Sequence, residues 1–88
     1  MKVLKFGATW CPGCIIMKPR FDEIESENEW LEAEFYDTDQ SPEMVEKYGI
    51  KDLPTFVYLD KDGNELERQH GIIPKEKIVA KINEYKDK

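Results

Sequence analysis

Cys11 and Cys14 are the only cysteines in the chain, and they stand two residues apart where an apolar run gives way to a helical repeat. A pair at this spacing can close into a disulfide without large backbone movement, provided that the chain turns there. The pair therefore calls for a strand, a turn and a helix in succession. Lys2 to Phe6 reads as the strand, with Val3, Leu4 and Phe6 apolar and Gly7 ending the run. Two cysteines cannot build a disulfide framework or fill four zinc positions, and His70, the sole histidine, does not complete a Cys2His2 set. With a metal set aside, Cys-x-x-Cys points to reversible thiol–disulfide chemistry.

Beyond the pair, Cys14, Met17, Phe21 and Ile24 recur at three, four and three residues, which predicts one buried face of a helix reaching about Glu27. Pro19 falls inside it, deletes an amide donor and crowds the Ile15 carbonyl, so a kink is expected. Leu31 to Asp37 reads as a second strand with Leu31, Ala33 and Phe35 on one face. Ser41, Pro42 and Glu43 suit a helix start as cap, first position and acid at the positive end. Met44, Val45 and Tyr48 give that helix an apolar side before Gly49 stops it.

Thr55 to Leu59, apolar or β-branched throughout, is the strongest strand, and Asp60 to Asn64 is a hairpin turn into a polar edge strand, Glu65 to His70. After Gly71, Pro74 opens a last helix with Ile78, Ile82 and Tyr85 on one side. The order is β-α-β-α-β-β-α in one domain, residues 1–88. Strands separated by helices imply parallel neighbours, and the terminal hairpin adds an antiparallel one. The expected architecture is α/β, a four-stranded mixed sheet with helices on both faces.

Composition sets outer limits. Apolar residues at 40% and charged residues at 36% describe an ordinary globular chain. No stretch approaches the roughly 18 consecutive apolar residues of a membrane span. The start is too short for the apolar segment of a signal peptide, so a cytoplasmic location is expected. A net charge of −6 argues against nucleic acid, which needs clustered Lys and Arg. The acids from Asp22 to Glu46 read as a solvated face that favours a monomer. No Gly-x-Gly-x-x-Gly turn is present, so reducing equivalents must come from outside, with no cofactor beyond the cysteine pair.

At a helix N-terminus, unpaired N–H groups and the helix dipole stabilise a thiolate, drawing its pKa from about 8.5 toward neutrality. Cys11 is expected to present the exposed, attacking sulfur, and Cys14, nearer the interior, the resolving one. Pro12 lacks a donor and fixes the approach to the helix, while Gly13 adds backbone freedom beside the sulfurs. Trp10 is expected to stay partly exposed as a flat apolar wall for a substrate chain.

The segments Ala8 to Cys14, Pro19, Asp39 to Pro42, Lys47 to Ile50, Leu53 to Thr55 and Gly71 together resemble the thioredoxin family from Val3 to the C-terminus. Trp-Cys-x-x-Cys alone is moderately specific. Joined to Tyr-Gly-Ile-x-x-x-Pro-Thr about forty residues later, it is strong. The resemblance implies that Pro54 is the family's cis proline, packed beside the cysteines. The backbone next to it would pair with an extended substrate by strand addition. The recognition surface implied is Trp10, Pro12, Gly13, Leu53, Pro54 and the loop of His70 and Gly71.

It further implies a protein-disulfide reductase acting on disulfide-containing proteins and recharged by a thioredoxin reductase or equivalent donor. Three departures stand out. The family's first strand and helix have no counterpart here, the central dipeptide is Pro-Gly rather than Gly-Pro, and Lys5 takes the place of the family's buried aspartate. A lysine there would tune the thiolates only if its ammonium stays charged and close. Otherwise it turns to solvent past the missing helix and leaves the cysteines unaffected. The alternatives are a glutaredoxin-like, glutathione-dependent enzyme, disfavoured by the Asp52 charge near the proline loop, and a non-catalytic binding module.

Overall fold

β-branched and apolar residues run without interruption through Thr55–Leu59 because this strand is buried along its whole length, with a packed layer on each side. The computed structural model describes residues 1–88 and orders the elements as β1 (Lys2–Gly7), α1 (Pro12–Glu27), β2 (Glu32–Asp37), α2 (Pro42–Tyr48), β3 (Thr55–Leu59), β4 (Glu65–His70) and α3 (Lys75–Tyr85). The sheet order is β2-β1-β3-β4.

β1 and β2 are parallel, joined by the α1 crossover, while β3 is antiparallel to both β1 and β4. The antiparallel β1–β3 pair departs from the expectation that strands separated by helices run parallel. Phe6 faces Thr55 and Gly7 faces Asp37, so β3 begins at the end of the sheet where β1 and β2 finish. The seven-residue α2 and its following loop leave and re-enter at that same end. This return is what brings Pro54 out beside the residues that follow β1.

Two apolar layers hold the sheet. On one face Val3, Phe56 and Tyr58 pack with Met17, Phe21 and Ile24 of α1 and Ile78 and Ile82 of α3. Phe21 stacks on Phe56 with ring centroids 5.1 Å apart. On the other face Leu4, Phe6, Val57 and Leu59 remain buried beneath Tyr36, Met44, Tyr48, Ile50 and Leu53, although α2 is the only helix there. Helices therefore cover both faces. α1 runs unbroken through Pro19. Across the β4 edge, the Tyr85 hydroxyl at 2.7 Å and the Lys81 ammonium at 3.0 Å hold the Glu67 carboxyl below the usual range and tie α3 to the sheet.

The start of α2 differs from expectation. The Ser41 side chain makes no capping bond, because its backbone (φ −129°, ψ 59°) departs from cap geometry and its amide donates to the Asp37 carbonyl at 2.9 Å. The stop is as expected: Gly49 adopts φ +60°, and the Ile50 amide reaches the Val45 carbonyl at 2.9 Å. A Cβ at Gly49 would meet nothing within 4 Å, so its substitution is a test of conformation alone. Gly49→Ala is expected to cost about 1 kcal/mol, read as a lower urea midpoint with unchanged slope.

Candidate active site

β1 ends at Gly7, and the chain turns so that the Cys11 amide donates to the Ala8 carbonyl at 3.2 Å. Cys11 is the N-cap of α1, extended at φ −89° and ψ 114°, with Pro12 at the first helical position. Its Sγ accepts the Cys14 amide at 3.2 Å, and its carbonyl accepts the Cys14 and Ile15 amides at 3.1 and 3.2 Å. Cys11 and Cys14 are joined as a disulfide with Cα atoms 5.3 Å apart.

The burial of the two cysteines reverses the expected order. Cys11 is the more enclosed, only 4% exposed, while Cys14 is half-buried. Gly7 lies against the second of them. A Cβ there would lie 3.2 Å from Cys14 Sγ and 3.2 Å from Phe35 Cε1, closer than ordinary contact, so the glycine lets that sulfur and that ring pack directly on the β1 backbone. Beside the disulfide lies a cavity of about 490 Å³, bounded by Cys14, Phe35, Phe21, Phe56, Asp37 and Pro54 among others.

The far side of the site is formed by the start of β3. The Leu53–Pro54 bond is cis. Pro54 Cδ lies 3.0 Å from where a Gly13 Cβ would stand, and Ile72 Cγ1 lies 3.7 Å away, so Gly13 is the residue that permits this close approach. The Gly71 amide donates to the Pro54 carbonyl at 2.9 Å, with Gly71 at φ +87°. The Leu53 N–H and C=O make no backbone hydrogen bond. His70 closes β4 opposite Thr55 and is exposed, as is Pro12.

Trp10 is 65% exposed, and its indole N–H donates to Asp39 Oδ2 at 2.9 Å. Thus Gly13, Pro54 and Gly71 lie together beside the disulfide, with Trp10 on the adjoining turn. Two further neighbours, Asp39 and the exposed Ile72, carried no role in the sequence reading. Asp39 follows β2 in a turn, a position where an acid reads as a surface residue. Ile72 gave a weak signal as an apolar residue in a loop.

Lys5 neither reaches solvent nor points along the helix toward the sulfurs. Its Nζ pairs with Glu25 Oε2 at 2.7 Å and lies 5.1 Å from the centre of the Phe21 ring, with only 16% of the side chain exposed. The expectation of an ammonium turned to solvent is therefore corrected: α1 itself supplies a carboxylate partner. Glu25 stands eleven residues beyond Cys14, about 16 Å along the axis at about 1.5 Å per residue.

A sequence model of the Thioredoxin family matches residues 1–84. A thioredoxin from Listeria monocytogenes is 37% identical over 81 residues, which cover 91% of this chain and 78% of that protein. An M-type chloroplastic thioredoxin from Chlamydomonas reinhardtii is 36% identical over 84 residues, 94% of this chain, which spans 59% of that relative's length. Among solved structures, a thioredoxin from Nicotiana alata superposes with a TM-score of 0.87 at 30% identity, covering 94% of this chain and 70% of the other. The Fasciola hepatica thioredoxin does so at 0.86 and 32%, covering 94% and 78%. The match spans both halves of the site, from the cysteine turn to the Pro54 and Gly71 loops. The chain belongs to the thioredoxin family and is a thiol–disulfide oxidoreductase built on the Cys11–Cys14 pair.

Proposed function

We propose that this chain works as one domain, residues 1–88, that reduces the disulfides of protein substrates, with Cys11 attacking and Cys14 resolving. The observation that carries this reading is the N-cap position of Cys11, whose sulfur already accepts the Cys14 amide. When the pair is reduced, that donor and the helix N-terminus favour the Cys11 thiolate. The thiolate attacks one sulfur of the substrate disulfide, forming a mixed disulfide and expelling the other sulfur as a thiolate. Cys14, as thiolate, then attacks Cys11 Sγ, closes the internal disulfide and releases the second substrate sulfur. Two electrons pass to the substrate and the pair is oxidised.

Substrate recognition is assigned to Trp10, Pro12, Gly13, Leu53, Pro54, His70 and Gly71. The free Leu53 N–H and C=O suit an extended substrate backbone laid alongside Pro54. No bound cofactor is needed, because the two sulfurs carry the electrons. The donor is a thioredoxin reductase or an equivalent, and the working form is a monomer in the cytoplasm, where thiols are kept reduced. No helix is long and apolar enough to cross a membrane. The reading is tested by supplying NADPH and a thioredoxin reductase with insulin as the disulfide substrate. Turnover that needs all components supports it, and no turnover with a fully reduced protein overturns it.

Lys5 is assigned to holding α1 against β1, with its charge answered by Glu25 rather than by a thiolate. Lys5→Met is therefore expected to leave the Cys11 thiolate absorbance titration superposable on that of the wild type. A shift of about one pH unit or more would return Lys5 to a tuning role.

A further inference from the structure

Ile72 stands on the loop between β4 and α3, 56% exposed, with its Cγ1 3.7 Å from the Cβ position of Gly13 in the cysteine turn. Its own N–H and C=O make no backbone hydrogen bond, so its place is set by the residues on either side. Before it, the Gly71 amide donates to the Pro54 carbonyl at 2.9 Å. After it, Ile73 is buried in the core, its amide donates to Met17 Sδ at 3.4 Å, and its carbonyl accepts Arg20 Nη1 at 2.7 Å. Met17 and Arg20 are three residues apart on α1 and so share one face of the helix that carries the cysteines.

Of these two ties the guanidinium is the stronger, because a thioether is a weak acceptor and a charged donor makes a bond roughly twice as strong as a neutral one. Arg20 is also committed to little else. In a chain with 19 acidic residues it makes no ion pair, whereas Lys18 on the same helix pairs with Asp22. We propose that Arg20 is a positioning residue for substrate recognition. It locks the loop of residues 71–74 to α1, so that Ile72 stays beside Gly13 and Pro54 as an apolar wall for the substrate residue next to the disulfide. The inference deepens the proposed function and rests on its assignment of this face to substrate. Without the guanidinium the buried Ile73 carbonyl loses its partner, and Ile72, which has no backbone bond of its own, shifts with it.

The test uses Arg20→Met and, independently, Arg20→Gln in the full chain, with folding checked by circular dichroism. Both remove the charged donor and keep part of the aliphatic stem. Each reduced protein is mixed with a single-disulfide peptide whose cysteines are flanked by leucines. It is mixed separately with 2-hydroxyethyl disulfide, which has no neighbouring residue to meet Ile72. Each rate is taken relative to that of dithiothreitol with the same disulfide. The ratio of peptide rate to small-disulfide rate is expected to fall about tenfold in each Arg20 variant. Ile72→Ala should also lower the ratio. Adding Arg20→Met to it should lower the ratio by less than about twofold more, because Arg20 acts through Ile72.

A ratio that is unchanged in a folded Arg20 variant overturns the proposal, whether the two rates hold or fall in proportion. So do losses that multiply in the double variant, since Arg20 would then act apart from Ile72. A wild type with no preference for the peptide would strike the assignment of this face to substrate, and the proposal with it. A wild type that prefers the peptide, with Arg20 variants that keep the preference, strikes the role of Arg20 alone.

Discussion

Cys11→Ser is expected to lower turnover of insulin disulfides by at least about a thousandfold, whereas Cys14→Ser should lose turnover but retain one covalent attack. A serine hydroxyl is not ionised near neutral pH, so the helix N-terminus and the Cys14 amide have no anion to stabilise in Cys11→Ser. In Cys14→Ser the Cys11 thiolate still attacks, but nothing resolves the mixed disulfide. The adduct therefore accumulates, and intact-mass measurement of a reaction with a single-disulfide peptide should show one substrate half bound per chain. The experiment is a sharp one here because Cys14, not Cys11, is the more exposed cysteine in the disulfide form. Adduct formation by Cys11→Ser with none by Cys14→Ser would exchange the two roles on protein substrates.

That reversal of exposure shows where reading from sequence stops. The buried face of α1 was legible because Met17, Phe21 and Ile24 obey a local period, and all three are buried. β3 was legible from its unbroken apolar run, and the end of α2 from Gly49, a residue whose backbone freedom is local. The placement of Cys14 depends instead on Gly7 and Phe35, distant in the chain, coming together with no side chain between them. Lys5 and Glu25 are twenty residues apart, and no local pattern pairs them.

The direction of β3 relative to β1 follows from the path of the α2 segment, which periodicity does not encode. Ser41 carried the composition of a cap but not its backbone angles. The cis geometry at Pro54 came from family resemblance alone, since the residue types around it favour the trans form. The site was readable as a set of residue types. Its depth was not, because depth is set by approaches between distant residues, such as that of Cys14 and Phe35 to Gly7.

Phe21→Ala is expected to remove about 3–5 kcal/mol of stability. Phe21 is 1% exposed and faces the sheet at the point where α1 crosses it. Its ring stacks on Phe56 at 5.1 Å, a contact worth about 0.5–1.5 kcal/mol beyond burial. The Lys5 ammonium also loses the ring beneath it, although Glu25 still holds that charge.

Collapse cannot close the gap. β1 and β3 are fixed in register by their ladder, and the new void joins the cavity already present behind Cys14. A chain of 88 residues has a total stability of about 4–13 kcal/mol at about 0.05–0.15 kcal/mol per residue. The substitution therefore takes a large share of it, and Tm should fall by about 12 °C or more, at about 4–8 °C per kcal/mol in a domain of this size. Phe35→Ala, an aromatic truncated on the same cavity but already exposed, should cost under about 1 kcal/mol. Equal losses from the two would mean that the cavity wall, rather than the α1–sheet contact, carries the stability of this end of the fold. The expected contrast instead makes the Phe21 contact between α1 and the sheet the support of this end of the fold.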